Sequence, residues 1–259
     1  MTETVAGDLA NRRRKRMLYR RLLPLFVVIL GIIGIFSWIL YGELVGGSPL
    51  DPPISNVSAS PVGRDWPMYQ RDPAHSGFLT EEILPTGALK WRFLTDGPIY
   101  SSPAIVGETV YISTGDARIL AIAVDSGNLL WEHAASGPVH STVAVAGNLV
   151  FVGLRDGKVL AIDKGNGNLE WEFKTDGFIH SSPVVANGVV YIGSSDGRLY
   201  ALDALTGEHR WDYKTDGWIL SNPAASDNVV GVTSQDGNLY IFDVTNGEFM
   251  LDYRLSLAI

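Results

Sequence analysis

The chain has 259 residues, a net charge of −8 and no cysteine, which excludes disulfide staples, thiolate metal sites, a cysteine nucleophile and a cysteine-linked lipid anchor. Abundant glycine (28 residues), 10% aromatics and only 19% charged residues fit an all-β domain with many tight turns better than a helical bundle.

The charge is split. Residues 1–21 hold seven basic side chains against Glu3 and Asp8, a net +5, so the remainder carries −13 of the total. An acidic main domain argues against nucleic acid as the partner, because phosphates would be repelled. Residues 22–41, LLPLFVVILGIIGIFSWILY, are uncharged. A helix of that length reaches about 30 Å, enough to cross the hydrocarbon core. A cleaved signal peptide is the competing reading, but its apolar region is usually about 7–15 residues with a small-residue cleavage site. The segment GELVGGSPL that follows has no convincing site of that kind. The sequence therefore predicts a single-pass, uncleaved anchor. The basic flank RRRKR places the N-terminus in the cytoplasm and the acidic bulk outside, with Trp38 and Tyr41 at the outer interface. Residues 42–63 are rich in Gly, Ser and Pro and read as a flexible linker. Asn56-Val57-Ser58 matches a glycosylation acceptor, a triplet common by chance.

A main domain is expected over residues 64–259, with repeats starting near 91, 131, 171 and 211. The period is 40 residues, without insertions. Trp91, Trp131, Trp171 and Trp211 share one register, and Leu251 holds the next equivalent place. Asp116, Asp156, Asp196 and Asp236 share another, and Ser101, Ser141, Ser181 and Ser221 a third. A fixed period in this range marks a repeat architecture. Each unit reads as four short strands; in the third these are HSSPVVANG, VVYIGSSDG, RLYALDALTG and EHRWDYKTDG. Asp156-Gly157, Asp196-Gly197 and Asp236-Gly237 read as type I′ hairpin turns, with positive φ at both central residues. Asp116-Ala117 departs and implies strain or another turn type. Four strands per unit predict an all-β propeller of about four blades behind one transmembrane helix. A blade cannot bury both faces alone, so the repeated Trp is expected to pack between blades with its N–H on a carbonyl.

The repeat ends resemble those of the pyrroloquinoline quinone (PQQ)-like β-propellers, whose units close on a pattern of the type A-x-D-x-x-T-G-x-x-x-W. ALDALTGEHRW matches it fully, AIDKGNGNLEW has Asn for Thr, AIAVDSGNLLW lacks the Asp, and IFDVTNGEFML loses both Ala and Trp. The lead-in DWPMYQRDPAHSGF (residues 65–78) is similar to the segment that opens many such domains. The family includes quinoprotein alcohol dehydrogenases and BamB-like envelope-assembly lipoproteins. Its enzymes, by the same resemblance, have eight blades, a calcium ion beside the quinone, a catalytic Asp and commonly a vicinal disulfide. This chain has no cysteine and too few blades for that machinery. The segment ALKWRFLT (residues 88–95) matches the fourth strand of a unit whose first three strands are missing, so a truncated or partial propeller is expected.

Few residues stand out as chemistry. His140 and His180 share one register in adjacent repeats and could share a metal or contact a ligand, but no full ligand set is visible and the preferred reading is ordinary hydrogen-bonded or exposed imidazoles. The four serines could line a central channel and bind a small polar ligand, or satisfy strand-end backbone groups. His133 and His209 flank the Trp positions and look exposed. No catalytic, cofactor-binding or metal residue is assigned. The expected function is a non-catalytic, membrane-anchored, extracytoplasmic interaction module partnering another protein or a membrane complex. The alternatives are a PQQ- and calcium-dependent dehydrogenase, or a fragment of one, and a small-ligand sensor.

Overall fold

The computed structural model describes residues 65–75 and 87–254, all within the unit Pro52–Ile259. The expected transmembrane segment, linker and glycosylation triplet lie outside the described residues. Among those residues no helix is long and apolar enough to cross a membrane.

The four strands expected of each repeat are present. The first blade holds β1 (Ala104–Val106), β2 (Thr109–Thr114), β3 (Arg118–Ala123) and β4 (Leu129–Ala134). The second holds β5 (Ala144–Ala146), β6 (Leu149–Gly153), β7 (Lys158–Asp163) and β8 (Leu169–Lys174). β9 (Val184–Ala186), β10 (Val189–Gly193), β11 (Arg198–Asp203) and β12 (His209–Lys214) form the third. β13 (Ala224–Ala225), β14 (Val229–Thr233), β15 (Asn238–Asp243) and β16 (Phe249–Arg254) form the fourth. Every blade is an antiparallel meander in chain order, as short connections require. The first strands of successive blades adjoin, β1 to β5, β5 to β9 and β9 to β13.

Position in the series decides burial. The second strands of the two middle blades, β6 and β10, are buried at every residue, whereas β14 of the fourth blade alternates between buried and half-buried. β16 is exposed along its whole length. A middle blade has a neighbour on each face; the fourth lacks one among the described residues.

The Asp-Gly turns differ from the expected type. Gly157, Gly197 and Gly237 have φ of +89°, +83° and +89°, but the preceding Asp residues do not have positive φ. The turn closes one residue earlier than expected, from the Gly157 N–H to the Leu154 carbonyl (3.0 Å). This is a type I turn followed by a left-handed glycine, a three-residue loop. The carboxylate is the cause: Asp156 Oδ1 accepts the Lys158 N–H at 3.1 Å, and Asp196 and Asp236 do the same to Arg198 and Asn238. Ala117 takes the glycine's place in the first blade at φ +68°, a strain on the order of 1 kcal/mol.

Sequence reasoning gave no structural place to the lead-in. Residues 65–75 run along the free edges of the first strands. Trp66 exchanges backbone hydrogen bonds with Ile105 of β1 (2.6 and 2.7 Å). The Pro67 carbonyl accepts from Val145 of β5 and the Pro73 carbonyl from Ala225 of β13, both at 2.7 Å. Met68 is fully buried in one core cluster with Ala144, Val184, Val185 and Ala225. The strap thus ties three of the four blades at their inner edges.

Candidate functional site

The repeat residues are taken up by structure. Each Trp reaches forward to the next unit. Its indole N–H donates to a carbonyl 33 residues on: Trp91 to Val124 (2.6 Å), Trp131 to Lys164 (2.8 Å) and Trp171 to Ala204 (3.1 Å). At the fourth place Val244 instead accepts from the Tyr191 hydroxyl (3.2 Å). The rings lie on glycines. A Cβ built on Gly127, Gly167 or Gly207 would come within 2.7, 2.8 and 2.6 Å of Trp91, Trp131 and Trp171, and Gly247 meets Trp211 in the same way. Opposite each blade's Trp stands a small residue: Ala121 pairs with Trp131, Ala161 with Trp171 and Ala201 with the half-buried Trp211, while the fourth blade pairs Ile241 with Leu251.

Asp156, Asp196 and Asp236 clamp turns with both oxygens. Besides the backbone N–H on Oδ1, Asp196 Oδ2 accepts from the Tyr200 hydroxyl and Asp236 Oδ2 from the Tyr240 hydroxyl, each at 2.8 Å. Burial, then the bond to Asp196, pushes the Tyr200 phenol well above its ordinary range. At Asp236 burial opposes ionisation, but hydrogen bonds led by Tyr240 outweigh it and hold the carboxyl below its usual value.

The serines bind their own backbone. Ser141 Oγ donates to the Gly153 carbonyl (2.9 Å) and accepts its N–H (3.0 Å). Ser101 with Ser113 and Ser221 with Thr233 repeat that double bond, and Ser181 accepts from Gly193. Ser141 and Ser181 are fully buried. Replacing Ser141 by Ala would leave both groups of Gly153 without this hydroxyl. A loss of about 1–3 kcal/mol is expected, measurable by urea unfolding.

One repeat position was overlooked in the sequence: the residue after each of these serines. The Ser102 N–H donates to Thr142 Oγ1 (3.1 Å), Thr142 to Ser182 Oγ (2.9 Å) and Ser182 to Asn222 Oδ1 (2.6 Å). Each bond spans one repeat, so these residues form a belt from blade to blade. The hydroxyl or amide recurring every 40 residues was its signal.

His140 and His180 do meet. Their ring centroids lie 5.2 Å apart, edge to face, and Tyr100 stacks on His140 at 4.4 Å. The row continues through Phe178, 6.3 Å from His180, to Trp218, 5.5 Å from Phe178. The Arg155 guanidinium lies 5.5 Å over Phe178. Tyr100 and Trp218 are 60% and 50% exposed. A groove of about 620 Å³ beside Phe178 is lined by Arg155, Lys174 and the carboxylates of Asp156, Asp176 and Asp196. His133 is half-buried, with Nδ1 2.9 Å from the Gly167 carbonyl, and His209 meets Asp212 at 2.9 Å.

Burial, then the positive charges of Arg155 and His180, hold the His140 imidazole below its ordinary value of 6.5. A depressed folded pKa favours the neutral ring, so its contribution is present above pH 6.5 and lost as pH falls toward the folded value. Melting temperature should drop on acidification from pH 7 to 5, and His140→Gln should reduce that drop.

Calcium takes six to eight oxygen ligands. Among the described residues no group of three His, Cys, Asp or Glu side chains is placed to hold a metal ion, and the repeat Asp residues at 156, 196 and 236 are engaged in turns.

The family model described as outer membrane protein assembly factor BamB matches residues 83–177 and 175–254. Among solved structures, the chain is similar to BamB from Moraxella catarrhalis (23% identity, TM-score 0.60, 65% of this chain and 57% of that one). It is also similar to a quinohemoprotein alcohol dehydrogenase from Comamonas testosteroni (19%, TM-score 0.65, 79% and 43%). A europium-containing methanol dehydrogenase matches at 14% identity and TM-score 0.67, over 76% and 50%. The chain spans about half the length of these solved relatives. No curated protein matches it.

Proposed function

Because the chain belongs to the PQQ-like β-propeller family described as outer membrane protein assembly factor BamB, we propose that it is a non-catalytic protein-interaction module. One observation carries this reading: the row Tyr100, His140, His180, Phe178 and Trp218, exposed at Tyr100, His180 and Trp218 and half-buried between them, with Arg155 above it. Tyr, Trp and Arg are the residues that dominate binding energy at protein interfaces. The polar repeat residues are already spent on backbone groups, so they leave little for substrate chemistry. We propose further that the uncharged segment 22–41, with its basic flank, anchors the chain in the membrane with the propeller outside the cytoplasm. The partner would then be another protein of the envelope or a membrane complex.

The test is affinity purification of the full chain from membranes after gentle solubilisation. A stoichiometric partner is expected with the wild type and not with the Tyr100→Ala/Trp218→Ala variant. Recovery of the wild type as a free chain, or a partner retained equally by the variant, would count against the reading.

A further inference from the structure

In each blade the turn between the second and third strands is tied to the loop before the first. The Gly115 N–H donates to the Pro98 carbonyl, Arg155 to Pro138, Ser195 to Phe178 and Gln235 to Trp218, at 2.7, 2.9, 3.0 and 2.8 Å. The backbone therefore holds these four positions beside the ring row. In the first blade the residue is glycine, and a Cβ there would come within 2.8 Å of the Tyr100 ring. Only the second blade places a charge at this position. The exposed Arg155 guanidinium reaches the next blade and lies 5.5 Å over Phe178. A contact with a ring face uses none of its five N–H donors, and its side chain forms no hydrogen bond or ion pair among the described residues.

The carboxylates of the adjoining groove are mostly engaged elsewhere. Asp156 accepts from the Ser136 hydroxyl (2.7 Å) and the Lys158 N–H (3.1 Å). Asp196 accepts from the Asp176 and Arg198 N–H groups and the Tyr200 hydroxyl. Lys174 donates to the Asp156 carbonyl. The Asp176 carboxylate alone accepts no hydrogen bond and forms no ion pair among the described residues.

We infer that the row takes an acidic segment of a partner protein, seating a partner carboxylate on Arg155 beside His140 and His180, and that this docking tightens on acidification. It rests on the reading of the row as a protein-docking surface. Guanidinium and carboxylate match as a bidentate pair, and Tyr100 and Trp218 at the two ends supply exposed ring area for the flanking contacts. Burial, then the positive charges of Arg155 and His180, disfavour the protonated His140 ring. A bound carboxylate offsets those charges and favours it. Binding then takes up a proton, so affinity rises as pH falls, down to about pH 4 where the partner's own carboxylates protonate. The charged and titratable groups around the pair are Tyr100 from the first blade, Arg155 and Asp156 from the turn after β6, Lys174 and Asp176 after β8, and Asp196 from the turn after β10. Of these, Asp176 opposes an incoming acid with an unpaired charge.

The probe is a blocked synthetic peptide, GSWEEWSG, against its glutamine analogue GSWQQWSG, added to the purified full chain. The chain has five histidines, so their imidazole resonances can be followed singly by NMR. GSWEEWSG is expected to move the His140 and His180 resonances and to raise the His140 titration midpoint, while His133 and His209 stay in place. Its Kd should fall about three- to tenfold between about pH 7.5 and about pH 5.5, the size of a shift of about half to one unit at one imidazole. The pH dependence should vanish in His140→Gln/His180→Gln. Arg155→Gln should remove the preference for the acidic peptide, and Asp176→Asn should strengthen its binding. Equal affinity for the two peptides, or a preference that Arg155→Gln leaves unchanged, would overturn the inference while the docking reading of the row stands. Unmoved His140 and His180 resonances would also overturn it, and the Tyr100→Ala/Trp218→Ala purification decides the docking reading separately.

Discussion

Trp171→Ala is expected to lower the unfolding free energy by about 3–5 kcal/mol, the range for removing a large buried aromatic. The ring is buried at the junction of the two middle blades, lies on Gly207 and donates to the Ala204 carbonyl at 3.1 Å. Repeat folds hold together through nearest-neighbour interfaces, so the loss falls on one junction. The urea transition should broaden as the blades on either side uncouple. Trp171→Phe keeps most of the apolar contact and loses the hydrogen bond, at a cost of about 1 kcal/mol. A Trp171→Ala variant as stable as the wild type would show that the indole is not the link between blades.

The second large effect is at Met68. The strap reaches β1, β5 and β13 through backbone bonds, and Met68 is its fully buried side chain. Met68→Ala is expected to cost about 2–5 kcal/mol, whereas Met68→Leu, close in volume, should cost less than about 1.5 kcal/mol. Limited proteolysis should cut Met68→Ala within residues 65–75 faster than the wild type, because an unseated strap exposes its backbone. Equal cleavage of the two would contradict the seating described.

Much of this was legible in the sequence because a repeat is read four times over. The 40-residue period matches four strands per blade, and RLYALD is β11, though its four central residues are all buried because both faces of the strand are covered. The turn type was misread because Asp-Gly alone does not say which residue closes the turn; the Asp side chain, bonded to the N–H two residues on, decides it. The Ser102–Thr142–Ser182–Asn222 belt was missed although its spacing was visible, since neighbouring serines at 101, 141, 181 and 221 drew the same signal. The strap could not be read. Residues 65–75 occur once, carry no period, and hold their place by backbone bonds to residues up to 152 positions away. The ring row was half legible. His140 and His180 were singled out by register, but Phe178 and Trp218 join them only because the loops between blades converge on one face.

Reconstitution of the purified full chain with PQQ and calcium tests the central claim most directly. The account predicts no stoichiometric quinone retained after gel filtration and no calcium-dependent dye reduction with primary alcohols. Quinone bound one to one, with dye reduction that is lost on chelation, would contradict it.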